Sequence, residues 1–154
     1  MFRISPYLAI SMTILLISCK ASKVDNKYIR GSNNELSICA IDACTIKGTI
    51  ITIVDEKDNY NINSPCSKVP CWALVKVNEV LSTGSRFATN ITPGDEIKMF
   101  FIFTLSKTTE ELFPNLDKRY PGLKNKDKFK ANVACRFQPG EDDCKWVVYD
   151  YILI

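Results

Sequence analysis

Glu96-Ile97-Lys98-Met99-Phe100-Phe101-Ile102-Phe103-Thr104-Leu105 is the stretch on which the fold turns. Side chains alternate across an extended chain, so Ile97, Met99, Phe101, Phe103 and Leu105 share one face. Lys98, Phe100, Ile102 and Thr104 share the other. Aromatic and β-branched residues favour this geometry, and Pro93-Gly94 just upstream supplies a turn into it. The spacing predicts a strand over Glu96–Leu105.

Downstream, Ser106–Lys126 is expected to be helical or irregular. Thr108 and Glu111 have the three-residue spacing of a capping box, Pro114 limits any helix to a turn or two, and Pro121-Gly122 makes a further turn. Lys128–Phe137 alternates again, with Phe129, Ala131, Val133, Cys135 and Phe137 against Lys128, Lys130, Asn132 and Arg136. Gln138–Asp143 is a hairpin loop, and Lys145–Leu153 the last strand. Upstream, Trp72–Leu81 places Ala73, Val75 and Val77 opposite Leu74, Lys76 and Asn78. Asp55–Cys71 is a long polar loop. Ile46–Val54 is a β-branched strand with a bulge expected at Gly48, and Leu36–Cys39 a short strand of its own.

The resulting order is strand, long loop, strand, strand, short helix, strand, strand. It resembles the OB-fold, a five-stranded Greek-key β-barrel with its helix between the third and fourth strands. It is also similar to the netrin and metalloproteinase-inhibitor modules built on that barrel. The fold class expected is therefore mainly β, and a β-sandwich accommodates the same strands. Pro93-Gly94-Asp95, Leu112-Phe113-Pro114, Tyr120-Pro121-Gly122-Leu123 and Phe129-Lys130-Ala131 further resemble a family of small bacterial lipoproteins. That likeness implies no particular activity.

The N-terminus has the parts of an export signal: Arg3 as a positive start, mostly apolar Tyr7–Ile17, and small Ser18. The apolar run falls short of the ~20 residues a membrane-spanning helix needs. Leu16-Ile17-Ser18-Cys19 resembles the bacterial lipobox, which implies lipidation of Cys19 and its exposure as the mature N-terminus. Two or three acyl chains there give stable membrane attachment where one alone holds marginally. Lys20, in place of the aspartate that retains many lipoproteins at the inner membrane, points to the outer membrane of a bacterial envelope. The expected organisation is a signal over 1–18, a lipidated tether over 19–35 and one domain over 36–154.

Removing residues 1–18 from the 154 leaves 136, enough for a domain with its own core, and the loss of Arg3 lowers the formal charge of +3 to +2. So balanced a charge does not favour nucleic acid as a partner. The chain has no histidine, which excludes His-based triads and imidazole metal ligands. With Cys19 set aside, Cys39, Cys44, Cys66, Cys71, Cys135 and Cys144 remain of the seven cysteines. An even number in an exported chain argues for disulfides, with fifteen pairings open. Paired Cα atoms five extended steps apart stand about 16 Å from each other, so a Cys66–Cys71 bridge requires a turn, which Pro65 and Pro70 permit. Cys39 and Cys44 bridge each other or elsewhere. Cys135 and Cys144 flank the last hairpin loop and are expected to pair. A four-thiolate zinc site over Cys39, Cys44, Cys66 and Cys71 competes with these bridges.

No nucleophile–base motif stands out. Ser67-Lys68 and Ser106-Lys107 are adjacent pairs whose side chains diverge on a strand, and the acidic clusters lack calcium-loop spacing. No catalytic residue, metal or cofactor is expected. The second face of strands two and three is the candidate binding surface: Trp72, Leu74, Lys76, Asn78, Lys98, Phe100 and Ile102. Aromatics stack a polymer and polar groups orient it on the equivalent face of OB-folds. Alternatively, Phe100 and Ile102 pack beneath the Leu112-Phe113 helix or the N-terminal segment. The expectation is a non-catalytic binding or structural module for an envelope protein or glycan. A protease inhibitor is a second reading, weakened because lipidation blocks the N-terminal cysteine such inhibitors use. An enzyme is a third.

Overall fold

A computed structural model describes residues 36, 40–57, 61–87, 89–137, 140 and 143–154. Cys19, the signal, the tether and Cys39 lie outside the described residues, as does nearly all of the strand expected at Leu36–Cys39. Five strands, β1 (Cys44–Val54), β2 (Trp72–Thr83), β3 (Glu96–Phe101), β4 (Lys128–Phe137) and β5 (Cys144–Leu153), and one short helix, α1 (Pro65–Lys68), make up the regular structure. They close into a barrel in the order β1-β2-β3-β5-β4. All neighbours are antiparallel except β3 and β5, which run parallel and complete the ring. The barrel is OB-fold-like; no second sheet is present among the described residues.

Its interior is made by the alternation read in the sequence. Ile46, Ile50, Ala73, Val75, Val77, Met99, Phe101, Phe129, Ala131 and Val133 are fully buried, and each large side chain among them contributes about 2–3 kcal/mol by leaving water. Phe101 packs edge-on against Phe129 and Tyr151. β1 has to curve to serve two neighbours, β2 and β4, and it does so with register shifts at three places, one of them at Lys47/Gly48. A Cβ at Gly48 would stand 2.9 Å from Val75 Cγ1 and 3.0 Å from Phe129 Cζ, so the glycine lets the strands on both sides close in.

The expected strand over Glu96–Leu105 stops at Phe101. On the β2 side the register ends at Trp72–Phe100, Phe101 N–H still donates to Cys71 O, and the next residue back, Pro70, has no amide with which to continue the ladder. The chain turns instead: Thr104 adopts φ 62°, its N–H donates to Phe101 O, and Leu105 N–H donates to Pro70 O. Phe103 leaves the expected strand face and stacks on Tyr120 at 4.6 Å.

The helix expected between the third and fourth strands is reduced to one turn, Phe113 N–H to Thr109 O. Thr108 does not cap it. Its hydroxyl accepts from Tyr120 N–H at 2.8 Å, buried, and Thr109 Oγ1 accepts from Leu112 N–H instead. Pro114 then ends the turn. The helix that does form, α1, lies in the β1–β2 connection, with Ser64 as its N-cap. It bends the chain so that Cys66 and Cys71 approach to a Cα–Cα distance of 5.4 Å and bridge.

Candidate functional site

The outward faces of β2 and β3 carry the predicted surface. Cross-strand register sets Trp72 opposite Phe100, Leu74 opposite Lys98 and Lys76 opposite Glu96. Met99 and Phe101 point into the core, so Lys98 and Phe100 face out. Trp72 and Phe100 meet edge-to-face with ring centroids 5.1 Å apart, an arrangement favoured by the ring quadrupoles. Both rings are half-buried, and Lys76 and Lys98 are exposed. Lys98 Nζ lies 4.8 Å from the Trp72 ring centre and forms an ion pair with Glu56, which follows β1.

Five of the seven predicted residues thus form one patch: Trp72, Leu74, Lys76, Lys98 and Phe100. Asn78 is on the same side of β2 but beyond the end of β3, and its Oδ1 accepts from Thr49 of β1 at 2.7 Å. Ile102 lies in the turn after β3, and its N–H donates to Val148 O; the expected run of Phe100 and Ile102 along one strand face is broken there. Of the alternative covers for Phe100, Phe113 packs on Phe103 instead, and the N-terminal segment lies outside the described residues.

The sequence reading missed Lys145. Its Nζ sits 4.0 Å from the Phe100 ring centre and 4.9 Å from that of Trp72. The parallel pairing of Met99–Phe101 with Trp146–Val148 brings it there, and no local pattern announces a contact between residues so far apart in the chain. Beside the patch, Glu96, Ile97, Lys98, Phe137, Asp143 and Trp146 are among the residues lining an open depression of about 490 Å³. Phe137 is 68% exposed.

Several other polar groups are paired with one another, whereas the buried Tyr151 hydroxyl has no hydrogen-bond partner among the described residues. Asp150, buried on β5, accepts from Lys118 Nζ at 2.6 Å and from the Tyr120 hydroxyl at 2.9 Å. Burial first, then the neighbouring Asp150 charge, holds the Tyr120 phenol well above its ordinary value, and burial raises that of Tyr151. Thr45 Oγ1 donates to Asn132 Oδ1 at 2.8 Å. On the outer side of β4, Arg136 Nε donates to the Tyr149 hydroxyl at 2.6 Å, and its guanidinium pairs with Asp42. Hydrogen bonding from Arg136 holds the Asp42 carboxyl below its usual range.

Of the six predicted disulfide cysteines, Cys66–Cys71 and Cys135–Cys144 are bridged, so Cys66 and Cys71 are not zinc ligands. Cys44 is buried at the head of β1. Among the described residues, no three His, Cys, Asp or Glu side chains converge as metal ligands. No protein-family model matches the chain, and no curated protein or solved structure is significantly similar to it.

Proposed function

We propose that this chain is a lipid-anchored, non-catalytic binding module of the bacterial cell envelope, tethered through Cys19 and engaging an envelope glycan or protein. The binding surface is the outer face of β2 and β3. The observation that carries this reading is the Trp72–Phe100 pair. The barrel already has a closed core, and two large aromatic rings set edge-to-face on its outside, flanked by lysines, add little to that core. Half-exposed aromatics on a rigid sheet are what stacking on a ligand requires, and the lipobox at Leu16–Cys19 supports the envelope location.

Two experiments test it. Lys98→Glu combined with Phe100→Ala in the full chain should abolish ligand retention while leaving the β-sheet circular dichroism unchanged; if every partner interaction survives, the site assignment is wrong. Cys19→Ser should abolish incorporation of labelled fatty acid and release the protein from membranes. Continued acylation of that variant removes the anchor from the proposal.

A further inference from the structure

The cations on this surface differ in what holds them. Lys98 is paired with Glu56, and Lys76 lies opposite Glu96 in strand register without an ion pair among the described residues. Elsewhere Arg136 is held by Asp42, Arg119 by Glu110, Lys118 by Asp150 and Lys47 by Glu79. Lys145 is placed otherwise. Among the described residues its ammonium has no carboxylate within ion-pair reach, and it rests against the faces of Phe100 and Trp72.

We propose that the patch binds a carboxylate-bearing glycan, with Trp72 and Phe100 stacking on a sugar ring and Lys145 pairing with the acid. This rests on the binding-face reading above. Two observations favour a sugar over a protein. The apolar part of the β2–β3 face is the narrow row Trp72, Phe100 and Leu74, bordered by Lys76, Glu96, Lys98 and Lys145, whereas a stable protein interface has a broader apolar centre within roughly 800 Å² per partner. Trp72 and Phe100, set edge-to-face, each offer part of a ring face on which the C–H face of a pyranose packs while its hydroxyls stay wet. The acid follows from Lys145. An ammonium over partly exposed rings is held by little, and its flexible stem lets it swing from the ring face to the ligand's edge as the sugar takes its place. With Lys98 already paired to Glu56, the contact offered by Lys145 suits a single carboxylate, whereas dense phosphate recognition draws on several converging cations or an arginine fork.

The test uses the full chain in detergent micelles, with polygalacturonate and its fully methyl-esterified form as probes. The expected result is tighter binding of the acid form, weakened by salt. Lys145→Gln should lower affinity for the acid by about fivefold, leave the ester unaffected, and keep the thermal midpoint unchanged. Trp72→Ala should lose both polymers. Equal affinity for acid and ester, insensitive to Lys145→Gln but lost in Trp72→Ala, would overturn the acidic-ligand inference and leave the binding face standing. Binding of neither polymer would overturn the glycan assignment, and the Lys98→Glu/Phe100→Ala retention experiment would then decide the face itself.

Discussion

The Tyr120 hydroxyl donates a 2.9 Å hydrogen bond to Asp150 Oδ1, fastening the long β3–β4 connection to the outside of the last strand. Lys118 reaches the same oxygen at 2.6 Å. Tyr120 also stacks on Phe103 and packs on Tyr151, so one residue ties the connection to both the polar latch and the core. Asp150→Ala strips a half-buried ammonium of this partner and should cost about 3 kcal/mol. Tyr120→Phe keeps the ring and loses one charge-assisted bond, at about 1.5–2 kcal/mol. Urea unfolding of both variants checks the magnitudes, and a Tyr120→Phe cost as large as that of Asp150→Ala would contradict this division.

Alkaline pH should unfold the protein through its buried phenols. Folded-state values for Tyr120 and Tyr151 are raised above the ordinary value near 10, by burial first. A raised folded value contributes stability that is complete below the unfolded pKa and is lost as pH rises through the folded one. Stability should therefore decline above about pH 10. Ultraviolet titration of phenolate should show Tyr120 and Tyr151 ionising only together with loss of the near-ultraviolet circular dichroism.

At the other end of the scale, Asp42 has its folded value depressed, chiefly by the hydrogen bond from Arg136. Its contribution is present above the unfolded pKa and disappears as pH falls through the folded one. Both groups are solvent-exposed, so the effect is small. Wild type and Asp42→Asn should differ slightly in thermal midpoint at neutral pH and converge below about pH 4.

Gly48→Ala should destabilise the barrel by about 1–3 kcal/mol, because the added methyl meets Val75 and Phe129 at 2.9–3.0 Å. Compensation by Val75→Ala in the same chain would show that the cost is steric.

Removing the Cys66–Cys71 bridge, whose cysteines are five residues apart, should cost about 2 kcal/mol by chain entropy. Peptide mapping under non-reducing conditions should recover Cys66 with Cys71 and Cys135 with Cys144. Zinc retained on Cys66 and Cys71 thiols would refute that assignment.

Strand positions and faces were legible because burial on one side of a strand leaves a period of two in the sequence, as in Ala73-Val75-Val77 and Phe129-Ala131-Val133. Closure into a barrel was legible only through element order. The end of β3 was not, since the alternation runs unbroken to Leu105 while Pro70, ahead of β2, has no amide to extend the pairing beyond Phe101. The Thr108 cap failed for a similar reason: a local pattern lost to a partner twelve residues away, Tyr120. For the site, the register of β2 against β3 placed Trp72 and Phe100 together from their alternation alone. Lys145 and Glu56 required the tertiary arrangement, because neither belongs to the two strands that carry the pattern.

The seam between β3 and β5 has a consequence in time. Ten cross-strand pairs join β1 to β2, but three, Met99–Trp146, Phe100–Val147 and Phe101–Val148, close the ring. These partners are 47 residues apart along the chain, and the entropy of that loop must be met before three pairs return anything. The hairpin β4–β5 and the β1–β2 pair should assemble first and the seam last. Substitutions such as Met99→Ala and Val148→Ala should then speed unfolding far more than they slow folding, and stopped-flow chevrons would show it. Because Lys145 reaches Phe100 only across this seam, the two halves of the candidate surface meet in the final step of folding.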